Sequence, residues 1–248
     1  MQNGKINNVA FYSRKKLIHL GILWVTLTGV VTLNILLNVF NIIEWLRYTI
    51  MFFTLIGLVI VLMVEKARIS YFDMEHRYHL LLSKQVGIVK TNCQFDSNWL
   101  RKLAELGFLL EKSNQQFSVY YRLTKQLSKR TLTKTSLLEF ITIIHQNEFD
   151  FYHDKLDKVY QDVWQQNQKT NKLNKQISIQ FKKYDKLSNE VVKDLTKVIA
   201  YKEGNNYLIN INCGFDSNLS KLYYLHSDSY APNQYYQYAV DLIKQITT

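Results

Sequence analysis

The sequence predicts a membrane-anchored α+β protein, in which a two-helix transmembrane hairpin precedes a cytosolic mixed α/β domain that ends in an antiparallel meander and a closing helix. Three observations lead to this class. Two long uncharged segments lie near the N-terminus, a short turn separates them, and the rest of the chain alternates strand-like and helix-like patterns. The 47% of hydrophobic residues are unevenly distributed along the 248 residues, which argues against one uniform globular core.

The two uncharged segments are long enough to cross a bilayer. Residues 17–40 contain no Asp, Glu, Lys or Arg, and at about 1.5 Å per residue they exceed a hydrocarbon core of roughly 30 Å. Residues 48–64 are also uncharged, and Leu46 extends them, so the transmembrane hairpin (17–64) has its spans at 17–40 and 46–64. A removable signal peptide is not expected, because no Ala-x-Ala-like cleavage site follows the first span.

Basic residues beside the spans predict the orientation in the membrane. The flanking cations are Lys5, Arg14, Lys15 and Lys16 before the first span and Lys66, Arg68 and Arg77 after the second. The turn carries Arg47 alone. Lysine and arginine accumulate on the cytosolic side, so we expect a multi-pass protein of the cell membrane with both termini in the cytosol. Residues 1–16 then form a cytosolic N-terminal segment.

The first half of the cytosolic part reads as a juxtamembrane helix (65–84) followed by the α+β domain (85–248). A short strand after Gly87 precedes a helix for which Asp96 or Ser97 is the expected N-cap and which Gly107 ends. A β-hairpin follows around residues 113–115. The apolar run 136–146 is ambiguous between a strand and a helix because it has no clear period.

The second half predicts two helices, four strands and a closing helix. The order is a long helix at 148–175, a strand at 177–184, a helix at 189–198 capped by Ser188, and a three-stranded meander at 199–203, 207–215 and 221–227. Pro232 opens the last helix. The residues at helical spacing on its expected core face are Tyr235, Ala239, Leu242 and Ile246.

Common catalytic signatures are absent from the chain. There is no G-x-G-x-x-G or Walker loop, no G-x-S-x-G elbow, no H-E-x-x-H and no C-x-x-C. Two groups have metal-ligand side chains at helical spacing: Asp73, His76 and His79, and then Asp150, His153, Asp154 and Asp157. Helix packing explains the first group and the helix dipole explains the second, so we expect no metal, no cofactor and no catalytic residue.

A candidate polar site lies in the C-terminal strands. Asn210 and Asn212 share one face of a strand, and Asp216 and His226 follow, so amide, carboxylate and imidazole groups could converge there. Alternating asparagine and isoleucine is also ordinary for a strand with one wet face.

Residues 92–98 and 212–218 share the pattern Asn-Cys-x-Phe-Asp-Ser-Asn. Their flanks differ, so common turn or cap chemistry is favoured over duplication.

The excess of basic residues suggests an anionic partner. From Lys66 onward the chain has 26 lysines and arginines and 18 acidic residues. The candidate basic patch comprises Lys125, Lys129, Arg130, Lys134, Lys182 and Lys183. Such a patch can bind nucleic acid, but a solvated face beside an anionic membrane is favoured.

Within the first span, Asn34 and Asn38 lie one turn apart and predict helix packing or self-association, because amides in hydrocarbon need partners.

These patterns favour a non-enzymatic, membrane-tethered cytosolic binding or regulatory module. Its expected partners are the lipid bilayer and either another protein or a second copy through the transmembrane helices. One alternative is a ligand-sensing domain that controls a two-helix membrane effector or pore. A second alternative is a membrane-bound hydrolase or nuclease that uses Asp216 and His226.

Overall fold

A computed structural model of the chain describes residues 2–40, 42–91, 95–125, 136–197, 199–203 and 206–248, with side chains for all of these except 2–6, 125, 199–203 and 206. The contacts divide the chain into two compact units, Met1–Ser83 and Lys84–Thr248. The first unit is helical and the second is an α+β domain.

The helical unit is an antiparallel pair, α1 (Gln2–Val39) and α2 (Glu44–Ser83), whose helices pack along each other. With 38 and 40 residues, the helices are about 57 and 60 Å long, close to twice the hydrocarbon thickness of a bilayer. Among their described side chains, only Leu37, Glu65 and Leu81 are buried. Both helices are long and apolar enough to cross a membrane.

The helices continue well beyond the predicted spans. The predicted juxtamembrane segment 65–84 is helical to Ser83, but it is the second half of α2 and belongs to the helical unit. The N-terminal segment is likewise the start of α1, which begins at Gln2. No proline interrupts either segment, and side-chain pairs join the two helices at the ends of the predicted spans and beyond them.

The domain contains eight strands and four helices among its described residues. The strands are β1 (Ile88–Lys90), β2 (Leu109–Ser113), β3 (Phe117–Lys125), β4 (Ser136–Ile144), β5 (Leu173–Tyr184), β6 (Ile199–Glu203), β7 (Asn206–Asp216) and β8 (Lys221–Tyr223). The helices are α3 (Ser97–Glu105), α4 (Asp154–Gln168), α5 (Asn189–Leu195) and α6 (Gln234–Thr247).

All eight strands belong to one mixed sheet, in which seven follow the order β1-β8-β7-β5-β4-β3-β2 and β6 pairs with β7. β4, β5 and β7 are mutually parallel, and the remaining pairings are antiparallel. The predicted C-terminal meander is therefore only partly correct. β5 occupies one edge of β7 over residues 207–216, so β6 and β8 share the other edge, β6 beside residues 206–210 and β8 beside 214–216.

Helices cover both faces of the sheet. On the α4/α5 face, Phe140 and Ile144 of β4 pack in a cluster with residues of α4 and α5. On the α3/α6 face, α6 contacts β5, β7 and α3. Gly214 of β7 allows α5 to approach closely, because a Cβ at this position would collide with the buried side chain of Leu195.

Several element boundaries differ from the sequence predictions. The ambiguous run 136–146 contains strand β4, whose residues 137–144 are all buried because helices cover both faces of the sheet there. The long helix predicted at 148–175 shortens to α4, since residues 169–172 leave the helix before β5 begins. The last strand stops at Tyr223, so His226 lies beyond it.

The closing helix is confirmed. α6 begins after Asn233, whose side chain accepts from the backbone N–H groups of Tyr235 and Tyr236 and caps the helix, so Asn233 performs the role that the sequence suggested for Pro232. The predicted core residues Tyr235, Ala239, Leu242 and Ile246 are all buried.

Candidate functional site

The two asparagines of the predicted polar site lie on the α4/α5 face in a buried chain of hydrogen bonds. Gln180 of β5 donates to Oδ1 of Asn210 at 3.3 Å, and Asn210 donates to Oδ1 of Asn212 at 3.5 Å. Asn212 donates to the hydroxyl oxygen of Tyr152 at 2.9 Å, and that hydroxyl donates to the carbonyl of Lys197 at 2.6 Å. The parallel register of β5 and β7 places these amides side by side.

This polar row is enclosed. Gln180 and Asn212 are 2% and 0% exposed, and Thr142, opposite Gln180 on β4, exchanges a 2.6 Å hydrogen bond with the hydroxyl of Tyr160. The side-chain oxygen Oε1 of Gln180 has no hydrogen-bond partner within the described part of the chain. The row therefore links strands and covering segments without presenting an open binding surface.

Asp216 and His226 are committed to other contacts. The carboxylate of Asp216 accepts from the backbone N–H groups of Asn218 at 3.1 Å and Leu219 at 2.9 Å, so it stabilises the turn after β7. The ring of His226 stacks on the ring of Tyr224 with the two ring centroids 4.3 Å apart, and Nδ1 of His226 donates to the Tyr224 carbonyl. No hydrogen bond among the described residues joins either side chain to the two asparagines.

Burial lowers the pKa of His226. The nearby Lys244 lowers it further, whereas the hydrogen bond to the Tyr224 carbonyl and the carboxylate of Asp228 act in the opposite direction. Lys244 and Asp228 face this ring from α6 and from the loop that precedes it. His226 is thus held as a neutral, packed imidazole.

The two lysines of the basic patch that the structure describes fully do not share a surface. Lys182 lies on the α4/α5 face, where its ammonium donates to the carbonyl of Phe149 at 2.9 Å and burial lowers its pKa. Lys183 is exposed on the opposite face, 5.7 Å above the ring of Phe95. The side chain of Lys125 and all of Lys129, Arg130 and Lys134 lie outside the described residues.

The two groups with metal-ligand chemistry are dispersed. Asp73 pairs with Lys16 and Arg77, Nδ1 of His76 donates to the carbonyl of Val9, and His79 stacks on Tyr12. In the second group, Asp150 precedes α4 and accepts from the N–H of Tyr152, while His153 caps α4. Asp154 and Asp157 lie in the first turn of that helix. Within the described residues, no cluster of three potential ligands is arranged to hold a metal ion.

The repeated Asn-Cys-x-Phe-Asp-Ser-Asn pattern corresponds to shared cap chemistry. Asp96 accepts from the N–H three residues later and caps α3, and Asp216 accepts from the N–H of Leu219 in the same spacing. The rings of Phe95 and Phe215 meet edge to face at 5.3 Å. The first three residues of the first copy lie outside the described part.

A buried ion pair in the domain was missed by sequence reasoning. Arg122 of β3 donates to the carboxylate of Glu139 at 2.8 and 2.9 Å, and the hydroxyl of Tyr238 on α6 donates to the same carboxylate at 3.0 Å. Arg122 also donates to the carbonyl of Leu106 at 2.6 Å, beyond the end of α3. The available signal was Glu139 itself, the one charged residue in the apolar run of β4.

The most distinctive accessible chemistry lies on the helical unit. Residues 9–19 of α1, which overlap the start of the first predicted span, and residues 65–79 of α2 form a polar end with paired polar side chains. Nδ1 of His19 donates to the buried carboxylate of Glu65 at 2.7 Å, and Lys16 donates to Asp73 at 2.6 Å. Each pair joins one helix to the other.

The two asparagines in the first predicted span differ in their exposure. Both amides donate to a backbone carbonyl one turn earlier, Asn34 to Val30 and Asn38 to Asn34, each at 2.8 Å. Oδ1 of Asn34 is buried against the hairpin without a hydrogen-bond partner in the described residues, whereas Asn38 is exposed. Asn34 thus lies partly within the hairpin, and Asn38 lies on its outer surface.

The chain was compared with family models, curated proteins and solved structures, and none of them matches.

Proposed function

We propose that this protein is a multi-pass cell-membrane protein in which α1 and α2 tether a cytosolic α+β domain that acts as a non-enzymatic binding or regulatory module. The bilayer is one partner. The second partner is a protein that the domain binds.

The exposure of the apolar helices carries this proposal. In the most hydrophobic 18-residue window of each helix only 6% of the residues are buried, whereas a core helix of a water-soluble protein is mostly buried. Trp24, Val25 and Phe53 are each at least 65% exposed. Contiguous apolar surface of this extent is unfavourable in water, and hydrocarbon removes the cost.

The ends of the hairpin support the orientation. The turn between α1 and α2 lies at one end of the apolar spans, and the polar end lies at the other. The polar end carries the lysines and arginines that favour the cytosolic side. Because the domain follows α2 directly, this orientation gives it a cytosolic location.

The contacts in the domain support binding over catalysis. Asp216, His226 and Lys182 would be the natural acid, base or cation of a hydrolytic site. Each makes a structural contact instead, to backbone N–H groups, to an aromatic ring and to a backbone carbonyl respectively.

Strand β2 offers the surface best suited to a protein partner. β2 pairs only with β3 among the described strands, and it forms one end of the sheet. All five of its residues are exposed, including Leu109 at 61% and Leu110 at 56%. An open strand edge with apolar side chains can pair with an extended segment of another protein.

Alkaline carbonate extraction tests the membrane tether. The full chain is expected to stay in the membrane pellet, whereas a chain that lacks residues 2–83 should appear in the supernatant. Release of the full chain by carbonate would refute the tether.

Cross-linking in native membranes tests the binding surface. Leu110→Lys should reduce cross-linking of the full chain to its protein partner. Leu219→Lys, a matched change at an exposed leucine in the turn before β8, should leave it unchanged. Equal yields from both variants would remove β2 from the proposal.

A further inference from the structure

An open groove runs between the two helices at the boundary between the apolar spans and the polar end. Its volume is about 550 Å³, within the range of small-molecule sites. Its lining residues include Lys16, Leu23, Leu62, Lys66, Ile69, Asp73 and Arg77. All of them belong to the helical unit.

The groove has a fixed positive rim. Asp73 accepts from Lys16 across the two helices at 2.6 Å and from Arg77 on its own helix at 2.8 Å. Burial raises the pKa of Asp73, but the two cations outweigh burial, and the net effect lowers this pKa, so the carboxylate is charged. One carboxylate thus positions two cations, and Lys66 adds a third.

Lys66 leaves the rim with a net positive charge. Its side chain is exposed and takes part in no ion pair among the described residues. With three cations and one carboxylate, the rim favours an anion. Lysine and arginine are the usual donors to phosphate oxygens.

The other side of the groove is apolar. Leu23 and Leu62 lie within the predicted spans at 17–40 and 46–64, and Ile69 lies one turn beyond the start of the polar end. A ligand in the groove therefore meets cations at one side and hydrocarbon at the other. A phospholipid has this distribution, with a phosphate at the membrane surface and acyl chains below it.

We propose that this groove binds one anionic phospholipid, with its headgroup on the rim formed by Lys16, Lys66 and Arg77 and an acyl chain along Leu23 and Leu62. The site rests on the proposed membrane tether and deepens it by naming the lipid class. Scattered cations beside a span attract anionic lipid diffusely. The carboxylate that holds Lys16 and Arg77 in place makes this rim a defined site.

Native mass spectrometry of the full chain in a mild non-ionic detergent tests the proposal. The chain is titrated with phosphatidylglycerol or with phosphatidylcholine of the same acyl chains. We expect one tightly retained phosphatidylglycerol and at least fivefold weaker retention of phosphatidylcholine. Equal retention of the two lipids would overturn the site.

Two lysine variants separate the groove from diffuse attraction. Lys66→Gln should weaken phosphatidylglycerol binding about fivefold, as expected from about 1 kcal/mol per basic residue near an anionic lipid. Lys15→Gln removes the same charge at the same end of the hairpin, but Lys15 does not line the groove, so binding should change less than twofold. Equal losses in the two variants would show diffuse attraction and overturn the site.

A soluble competitor tests the apolar side. Glycerol phosphate carries the phosphate without acyl chains, and it should not displace the lipid at equal concentration. Displacement would show an anion site without a lipid. Carbonate extraction of the membranes from which the chain is purified keeps the two proposals distinct, because release from the membrane refutes the tether, whereas retention with unselective lipid binding refutes only the groove.

Discussion

At the scale of single residues, the domain uses its buried polar groups to join elements. Arg122 and Glu139 connect β3 with β4, and Tyr238 brings α6 to the same carboxylate. The side chain of Glu139 is 1% exposed, so these donors replace the water that would otherwise bind its oxygens. A buried charge that loses its partner is strongly destabilising, which makes this network sensitive to single substitutions.

Glu139→Gln should therefore lower the free energy of unfolding of the domain by about 3–5 kcal/mol, because Arg122 would remain buried without a counter-charge. Urea unfolding of the domain measures this difference. Glu105→Gln is the matched control, since its partner Arg101 is exposed and Nε of Arg101 lies 3.8 Å from Oε1 of Glu105. The control should change stability by less than about 0.5 kcal/mol. Equal effects of the two variants would contradict this account of the network.

His226 gives the domain a specific pH dependence. Because burial lowers its pKa in the folded state, the unfolded chain binds the proton more readily. The contribution of neutral His226 to the unfolding free energy is complete above the unfolded pKa of about 6.5. This contribution is lost as the pH falls below that value. Between pH 7.5 and 5.5, the unfolding free energy should fall less in His226→Asn than in the wild type. Parallel pH profiles would show that His226 does not titrate in this way.

At the scale of elements, α6 stabilises one face of the sheet through a wide apolar surface. Leu242 is 3% exposed, whereas Lys244 is exposed and pairs with Asp228 at 3.3 Å. Leu242→Ala should lower the unfolding free energy by about 2–5 kcal/mol, since it removes buried contacts and leaves a cavity. Lys244→Ala should change it by no more than about 0.5 kcal/mol. Thermal unfolding at matched pH distinguishes them, and indistinguishable melting temperatures would contradict the packing of α6.

Local chemistry explains which elements the sequence could predict. Helix starts with a capping side chain were found where the cap is short-range, as at Ser188 and at Asp96 before α3. β4 was ambiguous because burial on both faces removes the period of 2. The pairing of β7 with β5 depends on a crossover through α5, which no local pattern near β7 records.

Local patterns likewise explain which part of the polar site the sequence could predict. The shared face of Asn210 and Asn212 follows from strand alternation, and the structure places both in one hydrogen-bond chain. Asp216 and His226 make separate contacts because Asp216 stabilises the turn after β7, and because β8 ends at Tyr223, before His226. Gln180 joins the asparagines only through the register of β5 beside β7.

At the scale of the whole molecule, the chain divides after Ser83 into two units with different surfaces. The helical unit exposes apolar side chains, and the domain buries its own core on both faces of one sheet.

The excised domain 84–248 should therefore be monodisperse in water and unfold in one cooperative transition. Size-exclusion chromatography and urea unfolding measure the two properties. An aggregated fragment without a cooperative transition would mean that the domain requires the helical unit to fold.

Reporter topology in the full chain tests the central claim most directly. A reporter enzyme that is active only outside the cytosol is fused after Thr248 or inserted between Ile42 and Ile43 in the turn. A membrane-spanning hairpin with a cytosolic domain predicts a silent reporter after Thr248 and an active reporter in the turn. Activity after Thr248, or silence at both positions, would contradict the account.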